Sequence, residues 1–297
     1  MDNLTSLYAQ RLNLQNATFS RIEHDDAIVA IVYKVTQPSG VPLILKICTR
    51  AQEYLRELYF LNHFAGKLPV PNIIQVVPPE ANVYEAILME YLQGAPLKIA
   101  DITDELAYEI GTLLARIHLN RAVGYGDLTR PDDLTLSPRE YFTQQFESGF
   151  AECSKHLPAA LLKKCRDYFN THINLLDSVD GPCMVHRDFR PGNLMVSDGR
   201  LQGIIDWATS RASAAQEDFA TLEHCWEWPI NSTYKESFLA GYVNIRPVPD
   251  YSVVPLLRLS RALDVIGFTL KRGTWESSNA SLYQFNRRFL DVFFAKS

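Results

Sequence analysis

Apolar positions along the chain change their spacing near residue 94. Before it, β-branched and aliphatic runs dominate: AIVAIVYKV (27–35) and VPLILKIC (41–48) flank Gln37-Pro38-Ser39-Gly40. Pro and Gly at that point signal a turn, so the two runs predict a hairpin. NIIQVV and VYEAILMEYL predict two more strands. Residues 1–13 read as a short helix. A second helix is expected over 50–64, where Leu55, Leu58, Tyr59 and Leu61 recur at helical spacing before Gly66 and Pro69-Val70-Pro71 end the pattern.

After Gly94 the helical period takes over. Residues 103–119 place Leu106, Ile110, Leu113, Leu114 and Ile117 on one face. Similar patterns cover 137–150, 158–176, 214–227, 231–241, 252–271 and 280–294. The exception is 184–207, where NLMV and LQGIIDW flank Ser197-Asp198-Gly199-Arg200, a tight β-turn. The pattern predicts an α+β protein: a small β-rich lobe over 1–92, a short connection at 91–95, and a larger helical lobe over 93–297 holding one lone hairpin. The junction of two such lobes is a favoured place for a ligand.

Composition narrows the function classes. A length of 297 residues with 47% hydrophobic suffices for one large domain or two lobes. A net charge of −5 argues against a nucleic-acid partner, which needs clustered Lys and Arg. There is no basic run for a membrane surface and no stretch of about eighteen apolar residues to span one. The start, MDNLTSLYAQRL, lacks the pattern of a secretory signal. Five scattered cysteines, Cys48, Cys153, Cys165, Cys183 and Cys225, never fall in CxxC spacing and read as reduced thiols. The expected compartment is the cytoplasm.

Candidate chemistry concentrates in MVHRDFRPGNLMVSDGRLQGIIDW (184–207), which sets Asp188, Asn193 and Asp206 on a loop and two short apolar runs. A metal site, a phosphate-transfer site and a solvated hairpin all fit this stretch taken alone. Phosphoryl transfer can use the spacing. Charge on the equatorial phosphate oxygens must be neutralised by divalent cations. Magnesium is satisfied by a few hard oxygens and keeps its waters, so Asn193 and Asp206 would suffice. Asp188 is then placed to take the proton of an attacking hydroxyl.

HRDFRPGN followed by IIDW resembles the catalytic loop and metal-binding aspartate of the aminoglycoside phosphotransferase and choline kinase family, relatives of protein kinases. The resemblance runs through essentially the whole chain. It implies a two-lobed protein-kinase-like fold that moves the γ-phosphate of ATP, with GTP as the alternative nucleotide and magnesium as cofactor, to a hydroxyl of a small molecule. By the same resemblance, Lys46 in LILKIC is the strand lysine that contacts the phosphates, and Glu57 in YLREL is its helix partner. Met89-Glu90-Tyr91-Leu92 matches the hinge, whose Glu90 carbonyl and Leu92 amide would hold the adenine edge. Asp218-Phe219-Ala220 matches a downstream motif whose carboxylate braces the catalytic loop. Arg190 fits either a phosphate contact or a pin for the loop, and His186 reads as a structural residue of that loop.

Two departures keep rival readings open. Glu23-His24-Asp25-Asp26-Ala27 stands where a glycine-rich phosphate loop would lie. Its absence suits a nucleotide-binding regulatory protein without turnover. His-Arg-Asp is closer to protein kinases than the His-Gly-Asp usual among antibiotic kinases. Against a protein kinase, Asp206 and Asp218 are only twelve residues apart. That leaves no room for a peptide-binding activation segment, and Ala-Pro-Glu is missing. The acceptor is expected on 214–228 and 252–271. There Glu223 and Glu227, four apart beside Trp226 and Trp228, and Asp264 would favour a cationic ligand. Two core tryptophans beside a solvated acidic face is the plainer explanation of the same run.

Overall fold

Alternating apolar residues in the first ninety positions build an antiparallel five-stranded sheet. In the computed structural model the described residues are 3–22, 30–225 and 233–295. The strands are β1 (Thr18–Arg21), β2 (Ala30–Thr36), β3 (Pro42–Cys48), β4 (Ile73–Val77) and β5 (Glu85–Glu90), in the spatial order β1-β2-β3-β5-β4. The expected hairpin is β2–β3, paired from Ala30↔Cys48 to Thr36↔Pro42. Its turn closes with Gly40 N–H donating to Gln37 O. β1 was not anticipated: TFSR is largely exposed and has no apolar alternation.

Side chains of β3 alternate across the sheet. Leu43, Leu45 and Ile47 enter a core with Tyr8, Leu12, Val35 and Leu88, to which helix α1 (Asn3–Arg11) contributes. Lys46 therefore falls on the other face, where helix α2 (Ala51–Phe64) packs on β3 and β5. The buried stripe of α2 is Tyr54, Glu57, Phe60, Leu61 and Phe64. Leu55, expected inside, is exposed. The stripe is rotated from the one the leucines suggested, because it must carry Glu57 inward.

The chain forms two compact units. The first comprises 1–116, 188–210 and 233–241. Beyond the sheet it contains most of helix α3 (Asp104–His118) and a smaller three-stranded sheet of β6 (Ala95–Pro96), β8 (Leu194–Ser197) and β9 (Arg200–Ile204), ordered β6-β8-β9. β8 and β9 are the lone hairpin expected from sequence, turned at Asp198 and Gly199, both with positive φ. β6 was not anticipated. It ties the end of the 91–95 connection to the hairpin through Ala95↔Val196 and Pro96↔Met195. Gly94, at φ +95, is needed for this approach: a Cβ there would stand 2.1 Å from Val196 O.

The second unit comprises 117–187, 211–232 and 242–297. Helix α8 (Val254–Lys271) is its centre, packed by α4 (Pro138–Cys153), α5 (Ala159–His172), α6 (Ala215–Cys225) and α9 (Ala280–Ala295). α4 starts where sequence places it: Pro138 opens the first turn, and Ser137 Oγ accepts from Glu140 N–H at 3.1 Å. Gly149 lets α4 meet α8 closely, since a Cβ there would lie 2.8 Å from Asp264 N. A two-stranded ladder of β7 (Cys183–Val185) and β10 (Arg211–Ser213) brackets the catalytic loop in sequence. Helix α7 (Thr233–Val243) divides between the units. The 92/93 boundary suggested by sequence falls inside the first unit, where Ile204 N–H of the hairpin donates to Pro69 O at 2.9 Å.

Candidate active site

All eight of the expected nucleotide, metal and catalytic residues lie in the first unit: Lys46, Glu57, Glu90, Leu92, Asp188, Arg190, Asn193 and Asp206. Lys46 is buried, and its Nζ donates to Glu57 Oε2 and to Asp206 Oδ1, each at 2.8 Å. Burial opposes charge on the lysine. The carboxylates of Asp206 and Glu57 outweigh it, so the ammonium titrates above its ordinary range. Glu57 is fully buried on the α2 stripe, and burial raises its pKa although Lys46 and the Trp207 N–H favour the carboxylate. Trp207, itself buried, stacks on Phe60 and packs against Phe64, which fixes the backbone that follows Asp206.

Asp206 stays partly open, with its side chain 42% exposed. Its φ is +66, a left-handed conformation that a non-glycine residue adopts only at a cost of order 1–3 kcal/mol. The hairpin positions it. Leu194 pairs with Ile204, and Ile205 N–H donates to Asn193 O at 3.0 Å, so Asn193 and Asp206 sit at the same end of β8–β9.

The loop before β8 is folded on itself. Asn193 Nδ2 donates to Asp188 O and Oδ2, both at 2.8 Å, and Arg190 Nε donates to Oδ2 at 3.1 Å. Both donors converge on one oxygen, which orients the Asp188 carboxylate. An amide nitrogen committed to Asp188 turns the Asn193 carbonyl oxygen the other way. One carboxylate and one amide oxygen at the end of a hairpin fit magnesium, which takes hard oxygens and retains waters. Among the described residues no cluster of three or more His, Cys, Asp and Glu side chains forms a richer metal site.

The hinge segment is the end of β5. Glu90 pairs with Leu43, and its carboxylate accepts from Asn72 Nδ2 at 2.8 Å. Leu92 packs against Gly203 of β9.

The second unit holds what precedes Asp188. Asp218 is fully buried on α6 and accepts from the backbone N–H groups of His186 at 2.9 Å and Arg187 at 2.6 Å. Burial opposes its charge, but hydrogen bonding to His118 and the field of His118 and His186 win, and its pKa is lowered. His118 Nε2 lies 3.0 Å from Asp218 Oδ2, and Nδ1 lies 2.8 Å from the Tyr242 hydroxyl. Arg187, at φ +66, donates from Nε to Glu217 Oε1 at 2.6 Å in a buried pair. His118 and Glu217 were not singled out from sequence. His118 continues the buried face of α3 one turn after Leu114, a position where a histidine needs a polar partner; that was the available signal.

The acceptor residues are only partly placed. Asp264 is half-exposed on α8, 3.6 Å from Arg261. Glu223 is half-buried on α6, where its charge bears on the buried Tyr251 hydroxyl. Glu227, Trp226, Trp228 and the 23–27 segment lie outside the described residues.

A family model described as the phosphotransferase enzyme family (APH) matches residues 24–256. The chain belongs to that family. This phosphotransferase is 25% identical over 252 residues to a homoserine kinase of Rhizobium rhizogenes, covering 80% of this chain and 76% of that one. It is 28% identical over 194 residues to a homoserine kinase of Gluconobacter oxydans, covering 63% and 58%. Its fold matches the aminoglycoside phosphotransferase APH(4)-Ia in ternary complex with AMP-PNP and hygromycin B, with a TM-score of 0.72 over 98% of both chains at 12% identity. It also matches the amicoumacin kinase hAmiN in complex with AMP-PNP and Ca2+, at 0.68 and 15% identity over 100% and 98%. The fold is α+β and protein-kinase-like, and the protein is a small-molecule kinase. No helix among the described residues is long and apolar enough to cross a membrane.

Proposed function

We propose that the enzyme transfers the γ-phosphate of ATP, or of GTP in its place, to the hydroxyl of a small amino-acid-like acceptor, with magnesium bound by Asn193 and Asp206. The observation that carries this reading is the joint placement of Lys46, Glu57, Asp206, Asn193 and Asp188 in one compact unit. Magnesium, when bound, supplies charge neutralisation for the phosphate oxygens. The side chains do the rest. Lys46, held by Glu57, grips the phosphates. The Glu90 carbonyl and Leu92 N–H take the adenine edge, with 1–92 as the nucleotide-binding lobe. Asp188, held by Asn193 and Arg190 at Oδ2, faces the acceptor hydroxyl and takes its proton as the new O–P bond forms and the bond from the γ-phosphorus to the leaving nucleoside diphosphate breaks. Arg190 acts by holding Asp188.

The acceptor class is supported by the homoserine kinases, whose names give a small hydroxy amino acid as their substrate. Glu223, Glu227 and Asp264 remain the proposed source of attraction for its ammonium. Among the described residues Cys48, Cys153, Cys165 and Cys183 are free, buried thiols, which suits a cytoplasmic protein. The test is nucleotide-dependent phosphorylation of L-homoserine, choline and hygromycin B, followed by ADP release and product mass. Phosphorylation of homoserine that is abolished in Asp188→Asn supports the reading. Transfer to none of the three, with neither ATP nor GTP, removes it.

A further inference from the structure

Arg187 holds two side chains by one oxygen each. Its Nε donates to Glu217 Oε1 at 2.6 Å and its Nη2 donates to Gln145 Oε1 at 3.1 Å. A guanidinium only donates, so the Gln145 oxygen must face it and the NH2 must face away. One acceptor and one donor are left over. Glu217 Oε2 and Gln145 Nε2 are both buried, and neither has a hydrogen-bond partner among the described residues. Glu217 as a whole is 8% exposed. Orphaned polar atoms of this kind are costly in a fold, and a pair of opposite hydrogen-bonding sense calls for an explanation.

Both side chains line a pocket of about 290 Å3, its open mouth included, within the second unit. Phe142 and Leu257 give it apolar walls, and Ser260, Arg261 and Asp264 line it from α8. Its charges cancel: Arg187 against Glu217, and Arg261 against Asp264. Because the volume of about 290 Å3 includes the open mouth, the enclosed part is smaller still, too small for a multi-ring aminosugar. A neutral pocket with an unmet donor and an unmet acceptor suits a ligand that carries both charges.

We infer that this pocket holds the ammonium and carboxylate of a small α-amino acid. The ammonium faces Glu217 Oε2 and Asp264, and the carboxylate faces Gln145 Nε2 and Arg261. Arg187 is peptide-bonded to Asp188, so the ligand is the phosphate acceptor of the proposed reaction or an effector beside it. The acceptor assignment rests on that proposed function; the binding does not.

The test is calorimetric titration of the full chain, without nucleotide, with L-homoserine and L-serine. N-acetyl-L-homoserine, which lacks the ammonium, and choline, which lacks the carboxylate, are the controls. A free amino acid should bind, the two controls should bind about tenfold or more weakly, and Asp264→Asn should weaken the amino acid by a similar factor. Ser260→Phe, which fills the pocket, should abolish it, with affinity for AMP-PNP unchanged in both variants. Phosphate transfer to the bound amino acid identifies it as the acceptor; binding without transfer identifies it as an effector, and the pocket assignment stands in either case. No binding at millimolar concentration, equal binding of N-acetyl-L-homoserine, or unchanged affinity in Asp264→Asn would overturn the inference and leave an ordered water as the occupant. Failure of the kinase reading shows separately, as absence of transfer to any acceptor.

Discussion

Lys46 Nζ lies 2.8 Å from Asp206 Oδ1, across 160 positions of sequence. The same nitrogen lies 2.8 Å from Glu57, so one buried ammonium ties a strand, a helix and the end of a hairpin together. Replacing it with methionine leaves the Glu57 carboxylate buried without its cation. Removing one partner of a buried pair costs about 3–5 kcal/mol. Lys46→Met should lose about that much in urea unfolding, and adding Glu57→Gln should recover part of it. Strictly additive losses would show that the two do not act as a pair.

Asp188 is oriented by Asn193 and Arg190 through one oxygen. Asp188→Asn should lower kcat by about two to four orders of magnitude, the usual contribution of a positioned base, with affinity for the nucleotide kept. Steady-state kinetics on whichever of L-homoserine, choline and hygromycin B is phosphorylated, with nucleotide titration alongside, reads both quantities. A variant with near-normal kcat would remove the base assignment.

Asp218 gives a pH dependence with a definite sign. Its folded-state pKa lies below the ordinary value of 3.8. The stability it contributes is therefore fully present above 3.8 and is lost as pH falls through the folded value. The stability gap between the wild type and Asp218→Asn should be constant from neutrality to about pH 4 and narrow below it. Denaturant unfolding at a series of pH values reads the gap. A gap that widens on acidification would mean that the carboxylate is not favoured by His118 and the loop N–H groups.

Much of this was legible in the residues, and the limits have physical causes. The helices of 103–119, 137–150 and 252–271 announced themselves because their apolar faces are continuous; Leu106, Ile110, Leu113, Leu114 and Ile117 are all buried. α2 misled, since its inward face includes the charged Glu57 and its outward face the apolar Leu55. The short strands β1, β6, β7 and β10 were silent: two to four residues cannot display a period, and their pairing is set by the chain around them. Asp188, Asn193 and Asp206 could be read because their chemistry is packed into one stretch. Glu217 could not, because its meaning comes from Arg187, thirty residues away, and from a pocket built by α4, α6 and α8.

The close crossing of α4 and α8 should be intolerant of side chains. A Cβ on Gly149 would stand 2.8 Å from Asp264 N and 3.1 Å from its Cα, both backbone atoms that cannot rotate away. Gly149→Ala should destabilise by about 1–3 kcal/mol through displacement of α8. Thermal unfolding checks this, and an unchanged melting temperature would place the helices further apart.

Magnesium-linked nucleotide binding is the claim on which the rest depends. Calorimetric titration of AMP-PNP into the wild type and into Asp206→Ala, each with magnesium and with EDTA, tests it most directly. Binding to the wild type should need magnesium and should weaken by about tenfold or more in Asp206→Ala, because the ion loses its carboxylate. Binding that is equally tight with EDTA, or equally tight in Asp206→Ala, would contradict the assignment of Asn193 and Asp206 as the metal pair.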